Sequence, residues 1–165
     1  LIIIDAAGAL ETWRPVDGLW TMDDVTAHEE ALFGLQLVET GDAQRLLART
    51  AETQQVLVFR ASDAGVLVAD SALSFEGLVV SLTVADLDQD GDDDLIAATE
   101  LTDGIWASLQ TDGAFGEPVA LLRPGMTPAS IAAADFDLDG CPDIAASFRG
   151  VKGIVTIPGQ YQATE

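Results

Sequence analysis

Asp86-Leu87-Asp88-Gln89-Asp90-Gly91-Asp92-Asp93-Asp94 returns 49 residues later as Asp135-Phe136-Asp137-Leu138-Asp139-Gly140-Cys141-Pro142-Asp143. Both stretches read D-x-D-x-D-G-x-x-D. Hard cations such as Ca²⁺ take about six to eight oxygens at roughly 2.3–2.6 Å. Carboxylates at positions 1, 3, 5 and 9, with a backbone carbonyl at position 7, can supply such a shell from a single loop. The glycine at position 6 permits the sharp turn that brings the two halves together. Asp86, Asp88, Asp90, Asp92, Asp93 and Asp94 crowd one loop, and without a cation their charges repel. The repetition at fixed spacing predicts two Ca²⁺ sites on a repeat protein. The alternative is a salt-adapted acidic surface of the kind that suits a halophile.

The self-similarity extends beyond the loops. Apolar segments precede them at 81–85 and 130–134, follow them at 95–98 and 144–146, and recur at 104–108 and 153–157. A turn ends each unit's third segment, Thr111-Asp112-Gly113 and Pro158-Gly159, and 119–122 reads as a fourth strand. A degenerate copy lies upstream, with segments at 35–38, 46–48, 56–59 and 66–69. Its loop is two residues short and carries Arg45 where the last ligand would fall. A guanidinium keeps its charge, so Arg45 is expected to stand in for the metal by pairing with Glu39 or Asp42. Residues 1–4 and 10–13 resemble a third and fourth strand around the turn Asp5-Ala6-Ala7-Gly8. The stretch 21–30 exceeds the period and is expected to be a short helix or exposed loop, with Asp24 or Thr26 as its cap.

Short strands with turn signals every 8–12 residues or so argue an all-β fold. A four-stranded unit of about 40–50 residues has the size of a propeller blade. Such a sheet buries both faces only by stacking on its neighbours. The segments ahead of the loops are rich in Ala, Ser and Thr, which suits strands crowded around an axis. The expected architecture is about three and a half β-propeller blades: a partial blade at 1–16, a degenerate one at 35–70, a loop-bearing one at 79–123 and an incomplete loop-bearing one at 129–158.

The run 84–95, Val-Ala-Asp-Leu-Asp-Gln-Asp-Gly-Asp-Asp-Asp-Leu, resembles the FG-GAP/VCBS repeat, the blade of integrin-α-type β-propellers. Residues 134–140 with Asp143-Ile144 resemble it equally, and the likeness covers roughly 35–157. The resemblance implies that each acidic loop joins the first two strands of a blade and holds Ca²⁺ on one face. It implies side-chain ligands Asp86, Asp88, Asp90 and Asp94, with the carbonyl of Asp92. For the second site it implies Asp135, Asp137, Asp139 and Asp143, with the carbonyl of Cys141. It gives Asp93 no ligand role, so that side chain is expected to be solvated. Family propellers close with about seven blades. An arc half that size leaves apolar faces and strand edges open. It is expected to be part of a larger propeller or to close with another chain, and the start at Leu1 reads as that of a processed product or fragment. An EF-hand fits worse, because position 12 is Ala97 in one loop and Ala146 in the other. The RTX pattern G-G-x-G-x-D is absent.

The chain has 165 residues, 28 acidic against 7 basic, and a formal net charge of -21. That balance argues against nucleic acid and against an anionic membrane surface. The 48% hydrophobic content is enough for a packed core. No apolar run approaches the roughly 18 residues of a membrane span. Cys141 is the one cysteine, so no intramolecular disulfide forms. His28 is the one histidine and is expected at the surface. No G-x-S-x-G elbow, P-loop or G-x-G-x-x-G occurs, and no catalytic residue or enzymatic activity is expected. Trp106 is expected to pack between blades, and Trp20 is the best candidate for an exposed aromatic. Together these features predict a secreted or cell-surface binding or adhesion module, rigidified by Ca²⁺, for a protein or carbohydrate ligand. The alternatives are a non-catalytic propeller segment of a larger secreted enzyme and a structural assembly subunit. Weak calcium sites fill at extracellular levels, which favours an extracellular or periplasmic place.

Overall fold

The computed structural model describes residues 2–159 except 27, 29, 41–42, 64–65, 101–103 and 123–124, and gives only the backbone of 20, 23, 24 and 40. Among the described residues there are strands and turns but no helix, so no helix is long and apolar enough to cross a membrane. The first sheet holds β1 (Ile2–Ile4), β2 (Leu10–Val16) and β3 (Leu19–Thr26). The second holds β4 (Leu32–Thr40), β5 (Ala43–Thr50), β6 (Gln55–Ala61) and β7 (Leu67–Ser74). The third holds β8 (Leu78–Ala85), β9 (Asp94–Glu100), β10 (Gly104–Ser108) and β13 (Val119–Leu122). A small hairpin, β11 (Gln110–Thr111) with β12 (Ala114–Phe115), interrupts it in sequence. The fourth holds β14 (Pro128–Ala134), β15 (Asp143–Phe148) and β16 (Ile154–Ile157). Every pairing is antiparallel and joins strands that meander in order.

The pleat decides which sheet each residue meets. Successive side chains leave a strand on opposite faces. On β5, Leu46 and Ala48 pack toward the first sheet, while Leu47 packs toward the third. On β9, Leu95 and Ala97 join the second sheet's cluster, while Ile96 and Ala98 join the fourth's. The inner strands of the stack are therefore apolar along both faces, and three clusters hold four sheets together. Trp106 is buried in the middle cluster, with its indole N–H donating to Thr99 Oγ1 at 2.9 Å. Strands β4, β8 and β14 run side by side along one edge of the stack. There the backbone N–H of Ile131 donates to Ser81 Oγ at 3.2 Å, so a small polar residue ties adjacent sheets where space is least.

Two expectations change. The stretch expected as a helix or loop, 21–30, begins inside β3, so the first sheet runs to Thr26 rather than ending at 16. The turn that makes this possible is Asp17-Gly18, with φ of 51° and 80°, the left-handed pair that closes a two-residue hairpin. Thr26 Oγ1 then donates to Leu67 O at 3.2 Å, which sets β3 beside β7, the last strand of the second sheet. Residues 1–4 thus lead a three-stranded sheet rather than a two-stranded one.

The other change concerns Arg45, which pairs with Asp70 on β7 at 2.8 Å and not with Glu39. Arg45 stands opposite Val38, and Glu39 stands opposite Gln44. Alternation along the strand thus sends Arg45 and Glu39 to different faces. The expected alternative partner, Asp42, lies outside the described residues. Asp70 also takes Arg60 at 3.2 Å, so one carboxylate separates two guanidinium groups that face each other across β5 and β6.

Leu47 is fully buried between the second and third sheets. Leu47→Ala is expected to cost about 2–5 kcal/mol in urea unfolding, because the site cannot collapse around the void. Leu138, 86% exposed, is the contrast: Leu138→Ala should stay within about 0.5 kcal/mol.

Candidate metal centres

Each acidic loop spans the open end of a hairpin whose last register pairs are Ala85 with Asp94 and Ala134 with Asp143. The loop turns back through two left-handed residues. These are Gln89 (φ 61°) and Gly91 (φ 98°) in one loop, and Leu138 (φ 64°) and Gly140 (φ 93°) in the other. Glycine was expected at position 6, but the left-handed residue at position 4 has no signature in sequence, since both loops place an ordinary side chain there.

Within each loop the carboxylates are positioned by backbone N–H groups. Asp86 Oδ2 accepts from Gly91 N at 3.1 Å, and Asp135 Oδ2 accepts from Gly140 N at 2.9 Å. Asp90 Oδ1 accepts from Asp92 N at 2.9 Å, and Asp139 Oδ1 from Cys141 N at 2.8 Å. The result brings three acids of each set together. Asp86, Asp88 and Asp94 each offer an oxygen within 4.8 Å of the others, and so do Asp135, Asp137 and Asp143. Asp90 and Asp139 stand outside these triads, each engaged with the amide two residues ahead.

Position 9 is the buried acid of each loop. Asp94 is 0% exposed and Asp143 is 4% exposed. Each carboxylate accepts two backbone N–H groups: Asp94 takes Leu87 and Gln110, both at 2.7 Å. Asp143 takes Phe136 at 2.9 Å and Gly159 at 2.8 Å. The same bonding gives opposite electrostatics. Burial pushes the Asp94 carboxyl up to about 6, with the charges of Asp88 and Asp90 adding to the rise against the two N–H bonds. The N–H groups of Gly159 and Phe136 hold Asp143 below the ordinary range. The third sheet is covered on both faces, while the fourth leaves Ile154 71% exposed, so desolvation dominates only at Asp94.

Asp86 Oδ1 is a test of what these loops can hold. It is buried and has no hydrogen-bond partner, and an unpartnered buried carboxylate oxygen is costly. A cation between Asp86, Asp88 and Asp94 would satisfy it. The donors are all hard oxygens, which fits Ca²⁺ or Mg²⁺ over softer metals.

The loops are also tied to their surroundings through residues the motif does not define. Asp93, expected as a solvated charge, accepts from the backbone N–H of Glu39 at 3.3 Å and so reaches the second sheet. Gln110, fully buried, donates its side-chain amide to Glu39 O at 3.1 Å. Gln89 donates to Gly140 O at 2.8 Å and reaches Cys141 Sγ at 3.4 Å, linking the two loops. Glutamines at these places carry no sequence signal, since only the stacked arrangement gives them partners. His28 is exposed, and Trp13 donates to Glu11 Oε2 at 2.9 Å; the Trp20 side chain lies outside the described residues.

Residues 86–146 match the family model of the FG-GAP-like repeat, so the resemblance read from the loops is borne out over that segment. No curated protein sequence matches the chain significantly. Among solved structures, BBS1N in complex with ARL6DN is similar, with a TM-score of 0.66 and 17% identity over 99% of this chain. This chain spans 47% of that one. At that identity the likeness concerns the fold alone: the four sheets are blades of a β-propeller type.

In chelator, carbon-detected NMR titration of the side-chain carboxyls should place the Asp94 midpoint near 6 and that of Asp143 below the ordinary range near 4. A raised carboxylate binds more protons folded than unfolded, so Asp94 weakens the metal-free fold as pH rises from about 4 to 6. Asp143 acts oppositely, adding stability above its unfolded value and losing it as pH falls through its folded one. A midpoint near 4 for Asp94 would show that its carboxylate is solvated.

Proposed function

We propose that this propeller segment is a calcium-stabilised binding or adhesion module of the extracellular or periplasmic space. The observation that carries the reading is the pair of convergent carboxylate triads, one of them with a buried oxygen lacking any partner. Asp86, Asp88 and Asp94 would hold one ion, Asp135, Asp137 and Asp143 the other, with Asp90, Asp139 and the carbonyls of Asp92 and Cys141 completing the shells. The ion would supply charge neutralisation and fix the loops on one face of the arc. No catalytic role is assigned to the acids, because those that converge are taken up by the ion. The ligand would be a protein or carbohydrate held by the rigid loop face. At millimolar Ca²⁺ and a Kd of ~10⁻⁴ M, mass action adds about 1–2 kcal/mol per site. Such sites stay empty at cytosolic calcium, which supports an extracellular or periplasmic location.

A second reading, in which further blades complete the propeller, has its own support. Ile105 is covered by the fourth sheet, while its repeat equivalent Ile154 is 71% exposed. Leu87 packs into the cluster shared with the fourth sheet, and its equivalent Phe136 is 53% exposed. The exposed face on the fourth sheet is the one that its predecessor buries against the next blade. Further blades, from the same parent protein or another chain, would cover it.

The two-site reading is checked by thermal melts in 2 mM (about the extracellular level) calcium and in chelator. The parent chain should melt several degrees higher in calcium. Asp88→Ala and Asp137→Ala should each remove about half of that rise, with little change in chelator. Equal loss under both conditions would mean that these acids act through the fold and not through a metal.

A further inference from the structure

We propose that Gln89 makes cation binding at the two loops cooperative, an inference that rests on the calcium reading above. Gln89 sits at position 4 of the first loop, between Asp88 and Asp90. Its side chain leaves that loop altogether: Nε2 donates to Gly140 O at 2.8 Å, at position 6 of the second loop. The peptide unit it grips runs from Gly140 C=O to Cys141 N–H. The N–H end of the same unit donates to Asp139 Oδ1 at 2.8 Å. One rigid peptide plane is thus held from one side by the first loop and from the other by a carboxylate of the second. Cys141, on the far side of that plane, is the residue whose carbonyl would reach the second ion. Its side chain is buried, and its Sγ also lies 3.4 Å from the Gln89 amide.

The backbone at Gln89 is left-handed, with φ 61°, and the flanking acids set that conformation. Asp90 N donates to Asp88 Oδ1 at 3.3 Å, and Gly91 N donates to Asp86 Oδ2 at 3.1 Å. A cation drawing Asp86, Asp88 and Asp94 together fixes this turn, and with it the direction of the Gln89 amide. An ordered first loop then presents the second with a peptide already oriented for its ion. By linkage the effect is mutual, so an ion in the second loop equally favours the first. The repeat supplies its own control. Leu138 holds the same position with φ 64° and cannot donate, so the device runs between these two loops only.

The strength of one neutral hydrogen bond sets the scale, a coupling of about 2- to 10-fold in affinity. Calcium titration calorimetry on the full chain measures it. Asp88→Ala leaves only the second site and Asp137→Ala only the first, giving two single-site constants. In the parent chain the product of the two stepwise constants should exceed the product of those single-site constants by about 2- to 10-fold. Gln89→Leu, which copies the residue tolerated at Leu138, should abolish that excess while keeping two ions bound. An excess that survives Gln89→Leu, or no excess in the parent chain, overturns the coupling while leaving the calcium sites intact. No uptake of calcium by the parent chain at millimolar concentration overturns both readings.

Discussion

Each acidic loop hangs on one buried carboxylate. Asp94 and Asp143 begin the second strand of their hairpins and each accepts from two backbone N–H groups. One amide lies seven residues back, at the loop's entry, and the other sixteen residues ahead, past the third strand. A single side chain therefore fastens three parts of a blade at one point. Neutral side chains of the same size would leave one of those donors facing another donor, since an amide has one accepting and one donating end. The requirement for an acid at position 9 is thus set by the backbone as much as by any ion, and the negative charge that suits a cation is already demanded by the fold.

The sheets themselves are held by a different constraint. A strand covered on both faces is apolar wherever its side chains have no polar partner, and in β9 the run Leu95, Ile96, Ala97 and Ala98 is fully buried between the polar Asp94 and Thr99, whose side chains are hydrogen-bonded. Each face of this run carries one large and one small side chain, Leu95 with Ala97 toward the second sheet and Ile96 with Ala98 toward the fourth. The edge strands show the reverse, and the fourth sheet's β16 is exposed along most of its length. The gradient from fully buried central strands to open terminal faces follows from stacking one repeat upon the next.

Most of the architecture was legible because the two loops punctuate it. Given Asp86–Asp94 and Asp135–Asp143 as fixed points, the strands on either side follow from apolar segments of matching phase. The first sheet had no such marker. Its third strand, Leu-Trp-Thr-Met-Asp-Asp-Val-Thr, mixes acids into an apolar pattern and reads poorly as β, although Asp17-Gly18 between two candidate strands was a hairpin signal in plain view. Within the loops, the residue types of the triads could be read, but their selection could not. Asp86, Asp88 and Asp94 converge while Asp90 turns to its own backbone, and that distinction depends on dihedral angles rather than spacing. The roles of Asp93, Gln89 and Gln110 were hidden for a further reason: their partners lie in other repeats.

In the second sheet two guanidinium groups, Arg45 and Arg60, share the Asp70 carboxylate. A guanidinium is covalently part of the chain, so no chelator, dilution or change of compartment can remove it. Under the calcium reading, the stack then combines one layer whose cations are part of the chain with two whose cations come and go with the surroundings.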